Sequence, residues 1–255
     1  MIALQTVIVA FSMFSALPMP QIDWNEDNMR YSMCAFPLIG VVIGGACWAW
    51  AALCGALSLP PVLRGAGLCL IPVWLTGGIH LDGFADTWDA LSSHAPAEKK
   101  REILKDPRLG CFAAIHLCSW FLAVFALWTA LPRFPGPAVL LGFCLSRTLS
   151  GLAVVSFPMA GRTGLSHMFA ASADQRRVRR VLLALAVLLG GALCTFGAQG
   201  IAMTAAALAV LCYYKSMAQK QFGGLSGDLA GWFLQTAELW MLAALCGVQL
   251  LEGLR

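Results

Sequence analysis

Charge is scarce in this chain of 255 residues: 12% are Asp, Glu, Lys or Arg, while 59% are hydrophobic. A soluble domain carries about 25% charged and roughly 45–50% apolar residues, so an ordinary soluble domain is excluded. No Lys or Arg precedes Arg30. The first apolar segment therefore lacks the basic start of a cleaved signal peptide and reads as a retained span or a re-entrant segment. The ten cysteines form no C-x-x-C pair and fall mostly in apolar runs. That distribution favours buried small hydrophobes over disulfides or zinc ligands. No low-complexity linker and no convincing internal repeat divides the chain, so residues 1–255 read as a single membrane-embedded domain. A nucleic-acid-binding pattern is missing too, and Arg176-Arg177-Val-Arg179-Arg180 reads as a topological anchor.

What the chain has is apolar length. A helix needs about 17–25 residues to cross a bilayer. Eight stretches approach this: 2–17, 34–57, 62–78, 110–131, 137–158, 181–197, 201–218 and 229–251. The first and third are short, so six to eight transmembrane helices are expected, in an all-α polytopic fold. In the eight-span arrangement thirteen basic residues share one side: Arg30, Lys99, Lys100, Arg101, Lys105, Arg108, Arg162, Arg176, Arg177, Arg179, Arg180, Lys215 and Lys220. Arg64, Arg133 and Arg255 fall on the other side, and Arg147 lies within a span. The positive-inside rule places the first group in the cytoplasm. The net charge of +4 then comes from loops beside anionic headgroups.

One segment goes beyond a membrane protein of any kind: Gly77-Gly-Ile-His-Leu-Asp-Gly-Phe-Ala-Asp-Thr-Trp-Asp89. Helical spacing puts Asp82, Asp86 and Asp89 on one face, within an arc of about 60°. Three like charges there repel unless a cation lies between them. A hard divalent ion such as Mg²⁺ takes oxygen ligands and leaves positions for phosphate. Gly83 and Ala85 leave the backbone open to a ligand, and His80 is a candidate for phosphate binding, proton donation or capping. In Leu104-Lys-Asp-Pro-Arg-Leu-Gly110, Lys105 and Arg108 are candidates to neutralise phosphate. Asp106-Pro107 there fits an N-cap with Pro at the first helical position. In Gly223-Gly-Leu-Ser-Gly-Asp228, the amides around Gly224 suit an anion and Ser226 suits an N-cap. Asp228 would repel a bare phosphate, so it reads as a metal ligand or a base. Glu238 lies deep in an apolar span, either functional or paired with Arg147.

Thr76-Gly-Gly-Ile-His-Leu-Asp-Gly-Phe-Ala-Asp-Thr-Trp-Asp-Ala90 resembles the signature of the adenosylcobinamide-GDP ribazoletransferase family, also called cobalamin-5′-phosphate synthases. Phe36-Pro-Leu-Ile-Gly40, Ile103-Leu-Lys-Asp-Pro-Arg-Leu-Gly110, Gly223-Gly-Leu-Ser-Gly-Asp228 and Glu238 follow in that family's order. Ala90 and Pro107 depart from the usual Gly and Ser. The resemblance implies transfer of a cobinamide phosphate moiety from adenosylcobinamide-GDP to α-ribazole or its 5′-phosphate, with release of GMP, late in cobalamin biosynthesis. It implies Mg²⁺ as cofactor and the bacterial cytoplasmic membrane as location. A homo-oligomer, or association with other corrinoid-pathway enzymes, is compatible with it.

On this reading Asp82, Asp86, Asp89 and Asp228 hold metal. Asp228, His80 and Asp89 are the catalytic candidates, and Lys105, Arg108, Gly224 and Arg147 the substrate contacts. Two other readings remain at this stage. Asp82-Gly-Phe-Ala-Asp86…Asp89 partly echoes the CDP-alcohol phosphotransferases, although Asp86 stands where they need Arg. A transporter with Arg147 and Glu238 along its path is the third, but its site belongs near the midplane.

Overall fold

A chain surrounded by lipid must bond its backbone N–H and C=O groups within the segment, so apolar runs of this length fold as helices. The computed structural model describes residues 2–161 and 173–254; Arg162 and Arg255, both counted in the charge asymmetry, lie outside them. In chain order the helices are α1 Ile2–Phe14, α2 Glu26–Met29, α3 Ser32–Ala56, α4 Pro61–Thr76, α5 Ile79–Ser92, α6 Ala97–Ile103, α7 Cys111–Ala130, α8 Gly136–Val154, α9 Gln175–Cys194, α10 Ala198–Phe222 and α11 Gly227–Gly253. Among the described residues there is no strand, only a bridge between Met159 and Leu225.

Five helices (α3, α7, α8, α10 and α11) are each long and apolar enough to cross a bilayer, and α4 with α5 make a sixth candidate if counted together. Length and composition thus support five or six spans, against the six to eight, with eight as the central count, expected from the sequence. α1 has 13 residues, about 20 Å at 1.5 Å per residue, against a hydrocarbon core of about 30 Å. α9 opens on Arg176, Arg177, Arg179 and Arg180, which leaves its apolar part short. α4 and α5 meet at 95°. The cause is local: Gly77 and Gly78 hold φ of 65° and 78°, a left-handed conformation that costs side-chain-bearing residues energy. Their amides bond back to Trp74 and Val73 and close α4. α5 therefore turns out of the line of α4, and we read it as lying outside the spans.

Helices approach closely where small residues meet a partner backbone. A Cβ on Gly40 of α3 would strike Phe143 of α8, and one on Gly44 would strike Leu140, so the two helices run antiparallel in contact. Inside the bundle Arg147 of α8 is paired with Glu238 of α11; their side chains are 1% and 12% exposed. Ser146 Oγ donates to Glu238 Oε1 at 2.8 Å, and Arg147 donates to Ser146 Oγ at 2.8 Å and to the Phe143 carbonyl at 3.2 Å. The pairing reading of Glu238 is the one the geometry supports. All ten cysteines are free. Cys47, Cys54, Cys69, Cys144 and Cys246 are buried, whereas Cys111, Cys118, Cys194 and Cys212 are exposed on helix faces.

The two ends of the bundle differ chemically. At one end the Arg64 side chain donates to the Leu131 carbonyl, and Gln249 joins the Arg133 amide to Gln199. At the other, α6 docks on the end of α10: Lys100 bonds Gln221, and Arg101 donates to the Phe222 carbonyl at 2.8 Å. α5, the start of α11 and most of the Lys and Arg residues gather at this second end.

Candidate active site

The site is built where α5 crosses the first turns of α11. A Cβ on Gly83 would lie 2.7 Å from the Asp228 Cα and carbonyl oxygen, and one on Gly231 would lie 2.8 Å from the His80 carbonyl. The helices touch through backbone on both sides of the crossing, which brings the acids of α5 beside Asp228. The turn into α11 is formed by Gly223 and Gly224, both with positive φ. Ser226 caps α11 by accepting from the Leu229 amide at 3.3 Å, as its spacing predicted. A clip holds the turn in place: Leu225 N–H donates to the Pro158 carbonyl and Ala160 N–H to the Leu225 carbonyl, each at 2.8 Å.

A cavity of about 540 Å³ opens at this crossing. Of the residues expected in the site, Asp82, Asp228, His80 and Lys105 line it. Asp82 is exposed, and Asp228 is half-buried. Asp86 and Asp89 follow along α5 but do not line the cavity. Burial, followed by the charges of Asp82, Asp228 and Asp89, pushes the Asp86 carboxyl up to about 7. The four carboxylates thus form one repelling electrostatic group. Their all-oxygen chemistry and excess negative charge suit a hard divalent cation. As the side chains stand, no three Asp, Glu, His or Cys among the described residues are arranged to hold an ion.

Several expected residues have other duties. The carboxylate of Asp89 lies against Gly110, the residue before α7, where a Cβ would run into it. Negative charge at a helix start is favourable in itself. His80 is 4% exposed, its ring set against Phe14 and Phe36 at centroid distances of 6.4 and 6.0 Å. Arg108 is exposed and folds back on Asp106 through Nε at 2.9 Å and Nη2 at 2.7 Å. Those bonds pull the Asp106 carboxyl down to about 2. Asp106 is not a helix cap as expected. It accepts the Arg108 amide at 3.1 Å in a turn, and α7 begins only at Cys111. The physical reason is the short two-residue reach, which suits an Asx turn. The Gly224 amide is committed to the Ala218 carbonyl, and those of Gly223 and Leu225 to Gln219 and Pro158. These three amides are used within the turn, contrary to the anion-binding role expected of them. Arg147 lies in its buried pair and does not line the cavity.

The cavity also shows what the sequence did not reveal. Arg101 of α6 lines it with Lys105, four residues on and just past the end of that helix. That spacing was visible, but both residues also fitted the positive-inside pattern. Met13, Phe14, Met33 and Phe36 supply an apolar wall, and nothing in their spacing separates them from ordinary packing.

A helical membrane protein with clustered carboxylates and two cationic side chains on one cavity has the layout of a phosphate-processing enzyme. Comparison with known proteins narrows this. The model of the cobalamin-5-phosphate synthase family matches residues 6–246, and the chain belongs to that family. It is 40% identical over 237 residues to the adenosylcobinamide-GDP ribazoletransferase of Lachnoclostridium phytofermentans, covering 92% of this chain and 91% of that one. The proteins of the same name from Clostridium botulinum and Geobacillus kaustophilus are 31% and 32% identical, covering 94% and 91% of this chain and 96% and 92% of theirs. No solved structure matches.

Proposed function

We propose that this enzyme transfers the cobinamide phosphate moiety of adenosylcobinamide-GDP to α-ribazole or its 5′-phosphate, with release of GMP. Membership of the family and the names of its relatives support the reaction. The observation that carries the site assignment is that Asp82, Asp228, Arg101 and Lys105 line one cavity.

Asp82 and Asp228, which line the cavity, would hold Mg²⁺ together with Asp86 and with Asp89 once its carboxylate turns away from Gly110. When bound, the metal supplies positive charge to the diphosphate and to the departing phosphate. Arg101 and Lys105 bind phosphate oxygens and offset the charge that develops there. Asp228 takes the proton of the attacking ribose hydroxyl. The hydroxyl oxygen forms the new bond to phosphorus, and GMP leaves with the electrons of the broken P–O bond. Positioning of the two substrates supplies much of the rate. The first turn of α11, capped by Ser226, adds a favourable dipole for a phosphate at the crossing.

The site end faces the cytoplasm of a bacterial inner membrane in this proposal, because it carries Lys99, Lys100, Arg101, Lys105 and the arginines of α9, while Arg64 and Arg133 mark the opposite end. The test is GMP release by the purified chain in lipid nanodiscs, with adenosylcobinamide-GDP, α-ribazole and Mg²⁺. Turnover that stops with Asp82→Asn supports the assignment. Turnover with CDP-diacylglycerol and none with adenosylcobinamide-GDP would overturn it.

A further inference from the structure

The cavity at the α5–α11 crossing is chemically two-sided. Asp82, Asp228, Ser226, Arg101 and Lys105 belong to its polar lining, and they are the only lining residues that the reaction above uses. Met13, Phe14, Met33, Phe36 and Val154 line it as well, and phosphate chemistry gives them no task. An ionic diphosphate would lose its hydration against such a surface without recovering hydrogen bonds.

The apolar wall is assembled from elements far apart in sequence. Phe14 ends α1, and Phe36 lies in the first turns of α3. Their ring centroids are 4.5 Å apart at an interplanar angle of 40°, and His80 of α5 sits against both. α1 is too short to cross a bilayer, and the chain just beyond it is tied down where the Ala16 amide donates to the Leu75 carbonyl at 2.8 Å. Its C-terminal end is thereby fixed as a side of the cavity. The volume of about 540 Å³ falls within the range of roughly 300–1,000 Å³ typical of small-molecule sites. A corrinoid carrying GDP is much larger than a drug-sized ligand and cannot be enclosed there. Aromatic rings and thioethers favour flat aromatic occupants.

We infer that the Phe14–Phe36–Met33 side of the cavity receives the aromatic base of the ribazole acceptor and so aims its ribose hydroxyl at Asp228. The inference rests on the transfer reaction proposed above. It assigns substrate specificity to α1 and α3, with the donor diphosphate held at the polar mouth. The methionines let the wall adapt to bases of similar size. A purine would bury an exocyclic amine and extra ring nitrogens against carbon, and should bind less well.

The experiment uses the full chain in nanodiscs with dimethylbenzimidazole, the base of α-ribazole without sugar or phosphate. Equilibrium dialysis in EDTA, with no donor present, should show saturable binding. In turnover assays the base should compete with α-ribazole and not with adenosylcobinamide-GDP. Phe14→Ala, which removes a ring, and Val154→Phe, which fills the cavity, should each raise the acceptor KM by about tenfold, the scale of a lost aromatic contact. The donor KM should change less than about twofold. An active enzyme on which the base does not compete with ribazole, or in which Val154→Phe raises the donor KM instead, overturns the inference and leaves the reaction standing. Should the wild type release no GMP, the proposed reaction fails. Saturable base binding that is lost in Val154→Phe would still support the assignment of the wall, and its absence would remove it.

Discussion

Gly83 and Asp228 are in backbone contact: a single methyl on Gly83 would come within 2.7 Å of the Asp228 main chain. That contact sets the distance between the acids of α5 and the first turn of α11. Gly83→Ala should therefore push the helices apart and cost about 1–3 kcal/mol, the usual penalty of overpacking. Turnover should fall with it, although no functional group has been removed. Thermal unfolding in nanodiscs and GMP release check both; an alanine variant as active and stable as the parent would show that the crossing is looser than described.

Asp82→Asn and Asp86→Asn should each reduce turnover by at least about a hundredfold, the scale of a lost electrostatic contribution in a catalytic site. Asp86 has a second readout. Its carboxyl is already disfavoured by burial and by the charges of Asp82, Asp228 and Asp89, so a neutral Asn relieves repulsion. In EDTA the Asp86→Asn protein should melt no lower than the parent. Added Mg²⁺ should raise the melting temperature of the parent through binding to the folded state, and that increment should shrink in the variant. Equal Mg²⁺ stabilisation of both proteins would detach Asp86 from any metal.

The Arg147–Glu238 pair makes the opposite kind of prediction. Each side chain is buried with the other as its charged partner. Arg147→Met or Glu238→Gln alone leaves one charge stranded, at a cost of about 3–5 kcal/mol. The double variant should be more stable than either single one. What active protein survives should keep its KM for both substrates, because the pair lies off the cavity. A selective rise in donor KM for Arg147→Met would instead restore it as a substrate contact.

Arg101 and Lys105 should separate from Arg108. The first two line the cavity, so Arg101→Ala and Lys105→Ala should raise the donor KM by about ten- to a hundredfold, the range of a charge-assisted hydrogen bond. Arg108 is occupied with Asp106 at the surface, and Arg108→Ala should change kinetics by less than about twofold. Initial-rate kinetics over a range of donor concentrations decides between them.

The charge-poor composition and repeated apolar runs already required a helical membrane protein, because backbone groups in lipid must be bonded locally. Asp82, Asp86, Asp89 and Asp228 were visible as acids where a membrane chain has few, and the Ser226 cap was visible from its spacing. Long-range facts were not legible. Arg108 and Arg101 are both arginines in basic loops, yet only the docking of α6 on α10 decides that Arg101 lines the cavity, while a local turn ties Arg108 to Asp106. Gly224 looked like an anion site, but its amide is spent on closing α10. Sequence alone thus determined the solvent this protein lives in and the chemistry its acids favour, since both follow from residue type and helical period. Tertiary structure alone decided which charges share a cavity and which residues wall it. That depends on where α1, α3, α5 and α11 meet, and no local spacing encodes it.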